Sequence, residues 1–132
     1  MIESIRASRS GDARRARLGE AFRDWGIPTA ASILEVRSVT DGLVIASGGI
    51  RGGLDVAKSI ALGADAAAIA LPALRALASG GRESLRALVE SMADELRLAM
   101  FLTGSRNVRE LRRARYVLTG ELADWARSLG VT

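Results

Sequence analysis

The chain has 132 residues, 48% apolar and 26% charged, with a net charge of +4. That length holds one domain at most, and that composition excludes wholesale disorder. Without cysteine or histidine, it cannot carry disulfides, cysteine nucleophiles, the usual zinc sites, Ser-His-Asp triads or histidine acid–base chemistry.

Residues 1–11 are polar and end in Ser10-Gly11, a loop signal. Asp12 can cap a helix running to about Trp25, with Leu18, Ala21, Phe22 and Trp25 at helical spacing and Gly26 as its stop. Pro28 breaks the chain, and Thr29 can cap a second helix to about Arg37. Asp41-Gly42 marks a turn. Leu43 to Ala46 is a short continuous apolar run, read as a strand buried on both faces. The glycine-rich stretch Ser47 to Gly53 follows. A helix is then predicted from Leu54 to about Leu62, with Leu54, Ala57, Lys58 and Ala61 in phase. Asp65 opens a second buried run, Ala66 to Ala70, and strand–helix–strand at this length is a right-handed βαβ unit. Helices are predicted over 72–79, closed by Gly80-Gly81, and over 83–102, with an apolar stripe from Leu85 to Met100. Asn107 caps a short helix to about Arg113, residues 116–118 are extended, and 120–129 form a final helix.

The informative feature is the turn from Ser47 to Gly53. It leads from the C-terminal end of a buried strand into a helix. Glycines let backbone amides approach a ligand, and a helix N-terminus favours an anion. The spacing matches neither a Walker A loop nor the dinucleotide fingerprint. The second strand ends at Ala70-Leu71-Pro72, where another helix begins. Two neighbouring parallel strands would thus present two sets of amides on one edge, the arrangement that holds phosphate after the last strands of barrel enzymes. Arg51 reads equally as a surface arginine or a phosphate contact. Ser47 could face a ligand or cap the helix. Lys58 reads as solvated.

The basic residues total 19, and Lys58 is the only lysine. They are interleaved with Asp and Glu in amphipathic patterns and lack stacking aromatics, so they read as solvated helix faces and not as a nucleic-acid surface. No stretch reaches the roughly 18 apolar residues of a membrane span. Residues 1–6 lack signal-peptide order, so the expected location is cytoplasmic.

The run Phe22 to Ser32 (Phe-Arg-Asp-Trp-Gly-Ile-Pro-Thr-Ala-Ala-Ser), with Val44 to Arg51, Ala61 to Asp65, Glu95-Leu96 and Ala99 to Gly104, resembles the type 2 isopentenyl-diphosphate isomerases. These are FMN-dependent TIM-barrel enzymes. The resemblance covers nearly the whole chain but only the C-terminal portion of the family's domain. The implied fold class is α/β: the C-terminal part of a (β/α)8 barrel, two parallel strands with a mostly helical remainder, residues 1–132 being one such fragment. It implies an FMN-phosphate site in which Gly48, Gly49 and Ile50 form the first binding turn and Ala70 and Leu71 the second.

The implied reaction converts isopentenyl to dimethylallyl diphosphate in isoprenoid biosynthesis, with FMN, Mg2+ and NADPH as cofactors. The family's diphosphate-binding basic residues, its magnesium-binding glutamate and its other FMN-holding residues lie in segments this chain lacks. No catalytic residue and no Mg2+ ligand is therefore expected here. Two strands cannot close a barrel, and each open edge carries unpaired amides. The expectation is a chain inactive alone, completed by a missing N-terminal barrel segment, by self-association or by the rest of a longer gene product. The other readings are a fragment of a different FMN-dependent barrel oxidoreductase, of the 2-hydroxy-acid oxidase type, and a non-enzymatic interaction module.

Overall fold

Asp12 starts the first helix, α1 (Ala13–Ala21), because its carboxylate accepts hydrogen bonds from the N–H groups of Arg14 and Arg15. A computed structural model describes residues 11–131; the predicted loop over 1–11 lies almost wholly outside them. The spacing predicts a helix to about Trp25, yet α1 ends at Ala21. The N–H of Arg23 bonds back to Glu20 and that of Trp25 to Phe22, and such three-residue returns wind the chain out of the helix. Among the described residues nothing packs on the extension that would hold it helical. Leu18, Phe22 and Trp25 are exposed by 52%, 58% and 81%, and the two rings stack edge to face on each other, 5.9 Å apart.

Helix α2 (Thr29–Val39) begins after Pro28, which takes the cap position. Thr29 is therefore not the cap but the first helical residue, and its hydroxyl is free to donate elsewhere. The strands β1 (Ile45–Ser47) and β2 (Ala66–Ala68) pair in parallel, Ile45 opposite Ala66 and Ser47 opposite Ala68. Helix α3 (Gly53–Ala61) forms the crossover between them. The predicted βαβ unit is present, with shorter strands than the apolar runs suggest.

One sheet face is buried and the other is open, where the sequence predicts burial on both. Val44 and Ala46 pack with Ile33 and Ala64. Leu43 and Ile45, pointing the other way, are exposed by 76% and 55%. The alternation follows from the strand period of two: α2 and α3 cover one side, and no described element covers the other.

Helix α4 (Leu71–Leu102) is broken at Gly80 and Gly81, whose dihedrals are non-helical, as the predicted division at this pair requires. It packs along α3. The buried line of α3 is Gly53, Ala57 and Ile60, while Leu54 and Lys58 face outward, so the predicted phase is rotated. The cause is close helix approach. A Cβ on Gly53 would lie 2.0 Å from the Met92 carbonyl oxygen, so this face admits only the smallest residue where the helices touch. Ala57 and Ile60 then meet Leu111 of the short helix α5 (Val108–Leu111), with Leu96, Ala99 and Met100 around them. Asn107 caps α5 by accepting from the Glu110 N–H at 2.9 Å. Residues 114–119 pair with no strand. The last helix, α6 (Gly120–Leu129), packs on α2, and each buries an alanine completely, Ala126 and Ala31.

The strand register is fixed at the strands' N-terminal end by Asp65. Its carboxylate accepts the Val44 N–H at 2.8 Å, Arg37 of α2 at 2.5 Å and Arg112, just past α5, at 2.5 Å. The Asp65 N–H donates to the Val44 carbonyl at 2.8 Å. Arg37 also donates to the carbonyls of Gly63, Thr40 and Gly42, and Arg112 to that of Gly63. The Val44 N–H, with the two guanidinium groups, holds the Asp65 carboxyl below its ordinary value of 3.8.

Two outcomes follow. Gly53→Ala forces α3 from α4 and should lower stability in urea unfolding by about 1–3 kcal/mol. Gly26→Ala, where a Cβ meets nothing within 4 Å, should change it by less than about 0.5 kcal/mol. For Asp65, the folded state binds fewer protons than the unfolded chain, so its contribution is full above the unfolded value near 3.8 and is lost as pH falls below it. Urea midpoints measured from pH 6 to pH 2.5 should fall less steeply below pH 4 in Asp65→Asn, whose midpoint is already lower at neutral pH. Glu110, lowered chiefly by the N–H of Arg106, leaves part of the acid slope in both proteins.

Candidate functional site

The strand register places the ends of β1 and β2 side by side. The chain leaves β1 through Gly48 and Gly49, with φ of 93° and 76°, a left-handed region that favours glycine. The turn is pinned by Thr29, whose hydroxyl donates to the Gly48 carbonyl at 2.9 Å. The N–H groups of Gly49 and Ile50 find no acceptor among the described residues. The chain leaves β2 at Ala70, and α4 starts without a side-chain cap, with a proline in its first turn. Helix N-termini of this kind carry partial positive charge and free donors.

Between the two turns lies a cleft of about 710 Å³, lined by Ser47, Gly48, Gly49, Ile50, Arg51, Ala68, Ile69, Ala70, Leu71, Pro72 and Arg75. All five residues singled out in the sequence, Gly48, Gly49, Ile50, Ala70 and Leu71, line it together. Ile50 is buried at 7% exposure and anchors the turn, whereas Leu71 is 54% exposed. No carboxylate lines the cleft and two arginines do. This combination of free amides, a helix start and cationic side chains suits an anion held mostly by main chain.

The remaining residues of the glycine stretch have other tasks. Gly53 is the close approach to α4. The next helix is capped by backbone at Gly52, which leaves Ser47 as a strand residue on the cleft wall and not a cap. Glu95 of α4 reaches the α3 N-terminus, accepting from the Leu54 N–H at 3.2 Å. The α3 terminus is thus already served by a carboxylate, which leaves the α4 terminus as the open one. Arg51 leans back on Asp55, 3.6 Å from its carboxylate, with its own side chain 82% exposed. Lys58 is exposed.

Two features escape a reading of motifs. Arg75 reaches the cleft from one turn inside α4, and only its spacing from Leu71 hints at this. The Asp65 cluster joins residues 28 and 47 positions apart, and no local pattern announces such pairs. Among the described residues no three acidic side chains converge in a metal-binding group, and no helix is long and apolar enough to cross a membrane.

A family model for FMN-dependent dehydrogenases matches residues 23–118. An isopentenyl-diphosphate delta-isomerase of Methanocaldococcus jannaschii is 55% identical over 109 residues, 83% of this chain and 30% of that protein. One from Metallosphaera sedula is 52% identical over 132 residues, 99% of this chain and 36% of that protein. A solved mandelate oxidase with a monooxide FMN adduct is similar in structure, with a TM-score of 0.69 and 38% identity over 73% of this chain and 31% of its own. The chain thus spans about a third of the length of the curated relatives it matches.

Thr29→Val removes the hydroxyl bond to Gly48 without changing side-chain shape. It should cost about 0.5–1.5 kcal/mol in urea unfolding. A urea midpoint equal to that of the parent chain would show that this bond does not hold the turn.

Proposed function

The chain belongs to the FMN-dependent dehydrogenase family, and from that premise we propose that it supplies the phosphate-binding part of an FMN site in a barrel that isomerises isopentenyl to dimethylallyl diphosphate. The observation that carries this reading is the cleft, where two strand ends meet with free amides, an uncapped helix start and no carboxylate. The FMN phosphate would be held by the amides of Gly48, Gly49 and Ile50 on one side and by Ala70 and Leu71 on the other. The residues fit such a group: Gly49 has open space where a side chain would otherwise project, and the α4 dipole favours the dianion. Bound FMN would bring the acid–base and electron-carrying chemistry of its ring system, for which the sequence offers no histidine or cysteine.

This chain's own part is to bind and orient. Ile50 fixes the turn from the buried side, and Thr29 ties it to α2. For Mg2+ the donors do not fit, because the described residues gather no acidic cluster; no step is assigned to a metal here. NADPH, expected from the resemblance, likewise has no residue assigned to it in this chain.

We propose further that the open sheet face is the inner wall of the barrel. Leu43 and Ile45 are exposed and both strands have a free edge, which leaves unpaired backbone donors and acceptors. Further strands, from a longer or a second polypeptide or from another copy, would cover them, and the chain alone would be inactive. The identity to the isomerases, 55% and 52%, exceeds the 38% to the mandelate oxidase, which favours isomerase over 2-hydroxy-acid oxidase chemistry.

The test is flavin titration of the chain, alone and mixed with a barrel segment corresponding to the part of the Methanocaldococcus jannaschii relative that this chain does not match. FMN should bind, and Gly48→Glu, which adds a negative charge at the turn and strains its positive-φ backbone, should weaken it by at least about tenfold. The complemented pair should isomerise isopentenyl diphosphate and leave 2-hydroxy acids untouched. Absence of FMN binding both to the chain alone and to the complemented pair would overturn the reading.

A further inference from the structure

We propose that Arg75 is the side chain that makes this site prefer a phosphorylated flavin over the unphosphorylated one. The inference rests on the FMN reading and deepens it: the main-chain cradle holds the phosphate, and Arg75 adds the side-chain share of the preference for it. Arg75 lies one turn into α4 and lines the same cleft as Gly48 and Gly49. Its neighbours three and four positions away are Leu71, Pro72, Ala78 and Ser79, none of them charged. No ion pair engages it among the described residues. Many arginines of the chain are matched locally: Arg23 with Glu20, Arg86 with Glu90, Arg97 with Asp94, Arg127 with Asp124. The other arginine of the cleft, Arg51, is drawn back by Asp55. Arg75 is thus the cation on this wall whose charge is not offset by a carboxylate.

A phosphate monoester carries nearly two negative charges at neutral pH and presents three acceptor oxygens. A guanidinium meets two of them with parallel donors, which an ammonium does not. Riboflavin has the same ring system and a hydroxyl where FMN has the phosphate. An interaction confined to Arg75 and the phosphate therefore changes FMN affinity and leaves riboflavin affinity alone. Because the side chain is exposed, the attraction is also open to salt screening.

The experiment compares the chain, alone and with the complementing barrel segment, against Arg75→Gln and Arg75→Lys, titrating FMN and riboflavin at 50 mM and 500 mM NaCl. In Arg75→Gln, FMN binding should weaken about five- to tenfold at low salt, with riboflavin affinity unchanged within twofold and a smaller FMN loss at high salt. Arg75→Lys should recover part of the FMN affinity. Equal FMN affinity in the parent and Arg75→Gln overturns the assignment and leaves the FMN site standing. Parallel loss of FMN and riboflavin overturns it too, since that marks a general disturbance of α4. If the parent chain binds no FMN in either mixture, the FMN reading itself fails and this inference with it.

Discussion

Everything at the cleft depends on a carboxylate at the far end of the strands. Asp65 takes the Val44 N–H and two guanidinium groups, from α2 and from just past α5, while its own N–H returns to the Val44 carbonyl. That reciprocal bond sets β1 against β2 without slip. A one-residue slip would turn every side chain of a strand to the opposite face. It would also move Gly48 and Gly49 away from Ala70 and Leu71, and the cleft needs both. The strands are only three residues long, so their own ladder supplies few bonds, and the Asp65 cluster carries a large share of the specification. The Asp65 cluster sits at one end of the sheet and the cleft at the other, the division expected of parallel α/β barrels.

The glycine-rich stretch resolves into two pairs with separate physical causes. Gly48 and Gly49 are glycines because the backbone turns through positive φ. Gly52 and Gly53 are glycines because α4 runs directly over them, a Cβ meeting Glu95 at the first and the Met92 carbonyl at the second. The contact lies in the second half of α4, at Met92 to Leu96; the α4 start, on the other side of the break at Gly80-Gly81, has no side-chain cap and borders the same cleft as the turn after β1. Glu95 occupies the α3 terminus, so the two helix starts near the cleft are not equivalent, and the α4 start is the one without a carboxylate.

Much of this was legible in the residues. The βαβ unit follows from two short apolar runs flanking a helical pattern, and the break in α4 follows from Gly80-Gly81. The five candidate site residues meet because both turns leave the same edge of a parallel pair. Two of the departures, the early end of α1 and the open sheet face, share one origin. Periodicity reports which residues are apolar, not whether anything in this chain covers them. Phe22, Trp25 and Ile45 are apolar at the expected spacing and remain exposed, so α1 stops early and the sheet is bare on one face. Thr29 reads locally as a cap, yet its hydroxyl is recruited from 19 residues away. The Asp65 cluster and Arg75 arise from tertiary placement alone.

The bare face and the cleft belong to one proposal: a portion of an FMN barrel in which the two turns of this chain would hold the phosphate and further strands would cover the open sheet face. The most direct measurement is a two-dimensional 1H–15N spectrum of the labelled chain, alone and with a complementing barrel segment, as FMN is added. The account predicts saturable shifts at the amides of Gly48, Gly49, Ile50 and Leu71, with those around Asp65 unmoved. Shifts absent from both turns, or confined to the Asp65 end, would contradict it.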